Sequence, residues 1–359
     1  MRWSYTIGRI AGTEVKVHVT FLLLLAWIAY TTYQRAGGTE AVSYTLFFVC
    51  FFFCVLLHEF GHIWMARRFG VRTPDVILLP IGGVARLERI PEEPRQELLI
   101  ALAGPVVTLA IILTLAGVMA LAGRAMVPRD LLAPEIPFAA RLLGANVLVL
   151  GFNLIPAFPL DGGRVLRALL ARKLGLVRAT RIAGAIGQLF AVALGILGVA
   201  IPDPFWMLIA FFIFLGAGAE AAAVTTRVAG RGLQVAQMMV TDFRTIPVHA
   251  TLAQAVDLLL AGEQREFPVV DNLGRTEGIL TRDNLIRGLS RGGPTSTVAE
   301  AMTPSAPTVA PTLAFQEALD RLRASGLPAL PVVDAGGALV GLLTMDNITD
   351  LLLVRQAQG

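Results

Sequence analysis

The amino-acid sequence predicts a polytopic α-helical membrane protein with about six transmembrane helices, followed by a soluble α/β tandem module. Three observations predict it. Charge-free apolar runs recur up to about Thr226, each near the roughly twenty residues that a spanning helix needs. An ordinary mixed composition then takes over. Finally, the C-terminal part repeats itself: "EFPVVDNLGRTEGILTRDNL" at 266–285 returns as "ALPVVDAGGALVGLLTMDNI" at 329–348. Across 359 residues, 55% hydrophobic and 16% charged content is too apolar for a soluble domain. The boundaries read as 1–226 for the membrane domain, 227–290 for the first repeat with its linker, and 291–359 for the second repeat and tail.

The apolar runs fall at 17–34, 41–57, 98–123, 142–160, 182–202 and 205 to about 224. Basic residues flank them unevenly. Arg2, Arg9 and Lys16 precede the first, Arg67, Arg68 and Arg72 follow the second, Arg164 to Arg181 separate the fourth from the fifth, and Arg227 and Arg231 follow the sixth. The alternate connections carry only Arg35, Arg124 and Arg129. The positive-inside rule therefore expects a multi-pass protein of the cell membrane, with both termini and the C-terminal module cytoplasmic. A net charge of +4 spread between apolar runs argues against nucleic acid as a partner. Cys50 and Cys54 share one apolar run, which excludes a disulfide framework. "MRWSYTIGRI" lacks the apolar core of a signal peptide.

Each repeat reads as a short strand, an amphipathic helix, two strands around a D-x-x-G turn and a closing helix. One such unit leaves an apolar face exposed, so the two are expected to pack as a pair.

The chemistry concentrates in "CVLLHEFGHIW", residues 54–64. His58 and His62 stand four apart, so a helix carries them on one face, converging on one point. Two imidazoles at that spacing suit a tetrahedral Zn²⁺. Glu59 projects beside the metal's open position, where it can take a proton from water and hand it to a leaving amine. Gly61 leaves room for close approach. Ionisable groups at membrane depth cost of order 2.5–3.5 kcal/mol each on insertion scales and mark functional sites.

Two His need a further protein ligand, and the candidates are His18, His249, Cys50, Cys54 and the acids. His18 sits where a span begins, and His249 lies in the soluble repeat. The two Cys lie one and two turns before His58 on the same helix, too far to share its metal. Asp161, in "NLIPAFPLDGG", ends a charge-free run on the same side of the membrane as His62. Pro156 and Pro159 break the helix there, and Gly162 and Gly163 permit unusual dihedrals. Broken backbone at that depth survives only when buried in protein or lining a wet cavity.

HEFGH at the end of one span and "NLIPAFPLDGG" at the end of another resemble the site-2 proteases, intramembrane zinc metalloproteases. The resemblance implies zinc held by His58, His62 and Asp161, with Glu59 as catalytic base. Asn153 would hydrogen-bond the substrate backbone or the oxyanion. "LLPIGGVARLERIP", residues 78–91, resembles the family's Gly-Gly element, in which Gly82 and Gly83 let an unwound substrate pair with a strand. Pro156 and Pro159 would line the same substrate path. The resemblance further implies a single-span membrane protein as substrate, cut near the cytoplasmic leaflet in contact with membrane lipid. "ALAGPVVTLA" in the third run is also similar to that family, with Gly104–Pro105 shaping the helix.

The repeats resemble a pair of cystathionine-β-synthase (CBS) domains, which implies a regulatory module that dimerises the chain and, in many relatives, binds an adenine nucleotide. The residues at those positions are Thr281, Asp283 and Asn284 in one repeat and Thr344, Asp346 and Asn347 in the other. Asn stands where the usual motif has the Asp that holds a ribose, so a ligand-free dimerisation and docking module stays open beside the nucleotide-binding one. Other function classes are a CBS-gated transporter or channel and a non-catalytic membrane scaffold. A transporter predicts polar groups spread over several spans, whereas here they gather at two span ends. A scaffold has no use for Glu59.

Overall fold

The computed structural model describes residues 3–80, 82–86, 93–123, 137–201 and 204–358. Arg2, Ile81, residues 87–91 of the Gly-Gly segment, Arg124, Arg129 and residues 202–203 lie outside the described residues. The chain divides into two compact units, Met1–Val224 and Thr225–Gly359.

The first unit opens with a hairpin, β1 (Ser4–Ile10) and β2 (Thr13–His18), then α1 (Val19–Ala36) and α2 (Gly38–Arg68). A second hairpin, β3 (Asp75–Leu79) and β4 (Gly82–Arg86), precedes α3 (Pro94–Leu121), α4 (Phe138–Asn153), α5 (Asp161–Leu174), α6 (Leu176–Ala200) and α7 (Pro204–Ala229). Helices α2, α3, α6 and most of α7 are long and apolar enough to cross a membrane. That is four among the described residues, where the sequence suggested about six. Two physical reasons account for the difference. The last turns of α1 carry Tyr30, Thr31, Thr32, Tyr33, Gln34 and Arg35, which dilute its apolar content. Helix α4 stops at Asn153, so the expected run to 160 ends in seven non-helical residues.

The two hairpins join into one sheet of order β1-β2-β3-β4, with β2 and β3 parallel and the other pairs antiparallel. Nothing in the composition of the N-terminal segment announced these strands. One face of the sheet is apolar: Val15, Val17, Val76 and Leu78 pack on Phe21 of α1 and on Phe52, Leu56 and Ile63 of α2. Asp75 fixes the neighbouring strands, pairing with Lys16 Nζ of β2 at 2.8 Å and with Arg86 of β4. The Arg86 guanidinium, with Lys16, holds the Asp75 carboxyl below the usual carboxylate range.

Between α4 and α5 the chain turns on backbone hydrogen bonds from Ala157 to Ile155 O and from Leu160 to Ala157 O. Asp161 is therefore the first residue of α5 rather than the last of a span. The glycines after it are needed for packing. A Cβ on Gly162 would meet Leu154 O, and one on Gly163 would meet the Ala157–Phe158 peptide. Arg167, read from sequence as a loop charge, is 1% exposed on α5. It pairs with Glu97 of α3 and, at 3.3 Å, with Glu220 of α7, and its guanidinium lies 4.9 Å from the Phe158 ring centroid.

The second unit contains β5 (Ile246–Pro247), α8 (Leu252–Leu260), β6 (Glu266–Val270), β7 (Thr276–Thr281) and α9 (Arg282–Gly292). It continues with α10 (Val298–Ala301), β8 (Thr303–Pro304), α11 (Phe315–Ser325), β9 (Ala329–Val333), β10 (Leu339–Thr344) and α12 (Met345–Gln358). The D-x-x-G turns form because the side chains of Asp271 and Asp334 each accept two backbone N–H groups. The repeats interlock: β8, leading into the second, pairs with β7 of the first, and Val240, leading into the first, bridges Leu342 of the second. Ile279, Ala306, Ala329 and Leu342 form the shared core.

The Arg167 contacts tie α3, α5 and α7 to the turn that carries Asp161. Removing one member of a buried ion pair costs about 3–5 kcal/mol. Arg167→Ala is expected to lower the apparent unfolding temperature of the detergent-solubilised protein steeply, against little change for the exposed Arg321→Ala.

Candidate metal centre

Helix α2 carries His58 and His62 at 4% and 6% exposure. Asp161 Oδ2 lies 3.1 Å from His58 Nε2 and 3.2 Å from His62 Nε2, and the two Nε2 atoms are 3.1 Å apart. The three side chains are the buried metal-ligand cluster among the described residues. Both Nδ1 atoms are engaged on the far side, His58 with Thr108 Oγ1 at 2.8 Å and His62 with Ile100 O at 2.7 Å. The Nε2 atoms therefore face Asp161.

This donor set fits zinc. Zinc bonds of about 2.0–2.1 Å in a tetrahedron give donor separations of about 3.3–3.4 Å. The three separations, 3.1, 3.1 and 3.2 Å, lie within a few tenths of an ångström of one tetrahedral face. Two neutral imidazoles and a carboxylate leave the fourth vertex for water or substrate, the pattern of catalytic rather than structural sites.

Small residues create the space. Gly61 of α2 faces α3, where a Cβ would meet Ala103 O at 2.7 Å and Val107 Cγ2 at 2.9 Å. Gly104 of α3 lies against both imidazoles, and a Cβ there would overlap His62 and stand 2.7 Å from His58 Nε2. Gly83 of β4 covers the half-buried Glu59, where a Cβ would come 2.5 Å from its Cγ. Gly82 has φ of +134°, a conformation open to glycine and strained for other residues.

The other sequence candidates scatter. Asn153 closes α4, half-buried, and the Pro159 ring packs where Gly216 of α7 leaves room. Pro156 is exposed in the same turn. His18 caps α1, accepting from Thr20 N, His249 is exposed in a turn, and Cys54 packs inside the bundle. In the second unit Thr281 and Thr344 accept from Asn284 N and Asn347 N at the starts of α9 and α12. The Asn284 amide donates to Thr303 Oγ1 at 2.9 Å and that of Asn347 to Met238 O at 2.6 Å. Asp283 and Asp346 are both exposed. Sequence reasoning missed Thr108 and Ile100. The available signal was their spacing from Gly104, four residues on either side, which puts all three on one stripe of α3.

A buried two-His, one-Asp donor set beside a carboxylate, in a bundle of apolar helices, defines a membrane metallopeptidase. Residues 46–126 match peptidase family M50, and residues 235–291 and 298–354 each match the CBS domain. The zinc metalloprotease MJ0392 of Methanocaldococcus jannaschii is 31% identical over 285 residues, covering 79% of this chain and 80% of that protein. The putative zinc metalloprotease Rip3 of Mycobacterium tuberculosis is 31% identical over 371 residues, covering 98% and 93%. The solved structure of the site-2 protease from M. jannaschii aligns at a TM-score of 0.47 and 36% identity, over 61% of this chain and 95% of that one. The chain belongs to peptidase family M50, the site-2 proteases. It is an intramembrane zinc metalloprotease with a tandem CBS pair as its regulatory module.

Two glycines allow the donor cluster and Glu59 to be disturbed separately. Gly104→Ala is expected to displace the imidazoles and lower bound zinc, read by metal analysis of the purified protein. Gly83→Ala is expected to retain zinc and lose at least tenfold in peptide cleavage, because the methyl group displaces Glu59.

Proposed function

We propose that His58, His62 and Asp161 hold the catalytic zinc, that Glu59 is the general base, and that the substrate is a transmembrane segment of a membrane-tethered protein. The observation that carries this reading is the donor triangle, whose three edges match one face of a zinc tetrahedron. Held by His58, His62 and Asp161, zinc would supply Lewis acidity for polarising a carbonyl and for lowering the pKa of water. Glu59 takes the proton that the attacking water releases and delivers it to the amide nitrogen as the C–N bond breaks, so that water adds across the peptide bond. Asn153 orients the substrate backbone beside the broken turn that contains Pro156 and Pro159.

A helical substrate hides its scissile bond behind its own hydrogen bonds and must unwind locally to be cut. Among the described residues the strand β4 ends the sheet order, and its outer edge would offer N–H and C=O groups to such a segment. Gly82 and Gly83 let that backbone come close to Glu59. The uneven basic flanks support an orientation with both termini and the CBS pair in the cytoplasm, so cleavage falls near that leaflet.

The CBS pair regulates as a homodimerising module without an adenine nucleotide. The Asn284 and Asn347 side-chain amides donate to Thr303 and Met238, bonds that hold the interlocked repeats together.

Glu59→Gln is expected to keep its zinc and lose cleavage of a panel of single-span substrates, with Asp161→Ala losing zinc as well. Full cleavage by Glu59→Gln would sink the mechanism. ATP, AMP and S-adenosylmethionine are expected to leave the unfolding temperature of the full chain unchanged; a dose-dependent rise with any of them would return nucleotide binding to the module.

A further inference from the structure

Helix α3 supplies none of the three metal donors, yet it makes the closest approach to two of them. Ile100, Gly104 and Thr108 follow one another at four-residue intervals and so form one stripe along the helix. The stripe meets the imidazoles with a carbonyl, a gap and a hydroxyl. Ile100 O lies 2.7 Å from His62 Nδ1, Gly104 makes room for both rings, and Thr108 Oγ1 lies 2.8 Å from His58 Nδ1. Thr108 is 1% exposed, so its hydroxyl is shielded from bulk solvent.

A neutral imidazole carries one proton, on Nδ1 or on Nε2, and only the unprotonated nitrogen can ligate a metal. A backbone carbonyl accepts and never donates, so Ile100 O fixes the His62 proton on Nδ1. Thr108 Oγ1 does the same for His58 if it accepts there. The alternative, the hydroxyl donating to Nδ1, would place a proton on Nε2, facing Asp161 and the metal position. We propose that Thr108 is a positioning residue: its hydroxyl accepts from His58 Nδ1–H, selects the tautomer with Nε2 free, and so sets the affinity of the site for zinc. This rests on the reading of His58 as a ligand. It goes beyond that reading by giving the "GPVVT" stretch of the third span a task in the metal centre.

The consequence is a difference between substitutions of nearly equal size. Loss of such an outer partner weakens metal binding by about 10- to 100-fold. In full-length protein, zinc retention against a graded chelator is expected to fall by that factor in Thr108→Val and Thr108→Ala and to return to within about threefold of wild type in Thr108→Ser. Val keeps the shape of Thr without the oxygen. Ala and Ser differ by the oxygen alone, so that pair carries the comparison even if the Val protein does not fold. Equal losses in Ser and Ala would assign Thr108 to packing and overturn the proposal, as would wild-type retention in Ala and Val. His58→Ala separates the two levels. If it holds zinc like wild type, the ligand assignment fails first. If it loses zinc while Thr108→Ala does not, only the role of Thr108 fails.

Discussion

The active region depends on how closely α3 can approach the histidine face of α2. At membrane depth no water is at hand to satisfy the far side of an imidazole, and an unsatisfied polar group there costs several kcal/mol. The protein meets this constraint with backbone proximity. Gly61 on α2 and Gly104 on α3 remove the side chains that would hold the helices apart. Once the axes are close, a carbonyl of one helix reaches a ring of the other, as Ile100 O does at 2.7 Å. The precision of the donor triangle follows from this contact, because each ring is fixed at Nδ1 before anything binds at Nε2.

The third donor comes from a different kind of structure. Asp161 begins α5 after a turn whose backbone is closely packed on the glycines that follow it. Such a turn cannot be held by its own few hydrogen bonds. It is gripped from α5 by Arg167 over Phe158 and from α7 by Pro159 against Gly216, while Arg167 is itself fixed by Glu97 and Glu220. Buried ion pairs are often poor contributors to net stability, because desolvation offsets the Coulombic gain. Here the pairs join three helices to one turn, and the return is in geometry: a carboxylate held at a distance from two rings that belong to another helix.

Much of this was legible in the sequence, and the remainder had a common cause. HEFGH, "NLIPAFPLDGG" and the repeated PVVD announce themselves because their chemistry needs particular residue types at short spacings. The division between an apolar and a mixed half follows from composition. What sequence could not display were groups whose role is set by a neighbour distant in the chain. Arg167 looked like one more basic residue of a loop until Glu97 and Glu220 were seen beside it. Thr108 is an ordinary polar residue in a long apolar span. The carbonyl of Ile100 has no sequence signal at all. The strand β1 is exposed along nearly its whole length, so it shows no buried face. Strand β2 does alternate, with Thr13, Val15 and Val17 buried, but over six residues that period-two signal is too short to stand out beside the apolar run that follows.

On the proposed role of Glu59, its place under a strand also bears on how water and substrate can meet in a membrane. Unwinding a helix in lipid exposes backbone groups at several kcal/mol each, far more than the few tenths that separate good and poor helix formers. Sequence preference alone therefore cannot open a buried segment; a surface that accepts its freed N–H and C=O groups must be present when it opens. On the proposed reading β4, last in the sheet order among the described residues, is such a surface. Its register is held by the Asp75–Arg86 pair, and its glycine lies directly on Glu59. On the proposed roles, compensation for unwinding and the proton acceptor for hydrolysis fall in one contact. A segment that remains helical does not satisfy the strand and does not present a peptide bond to the base. On the proposed roles a segment that pairs with the strand does both, so intact and unwound helices would be told apart by backbone state rather than by side chain.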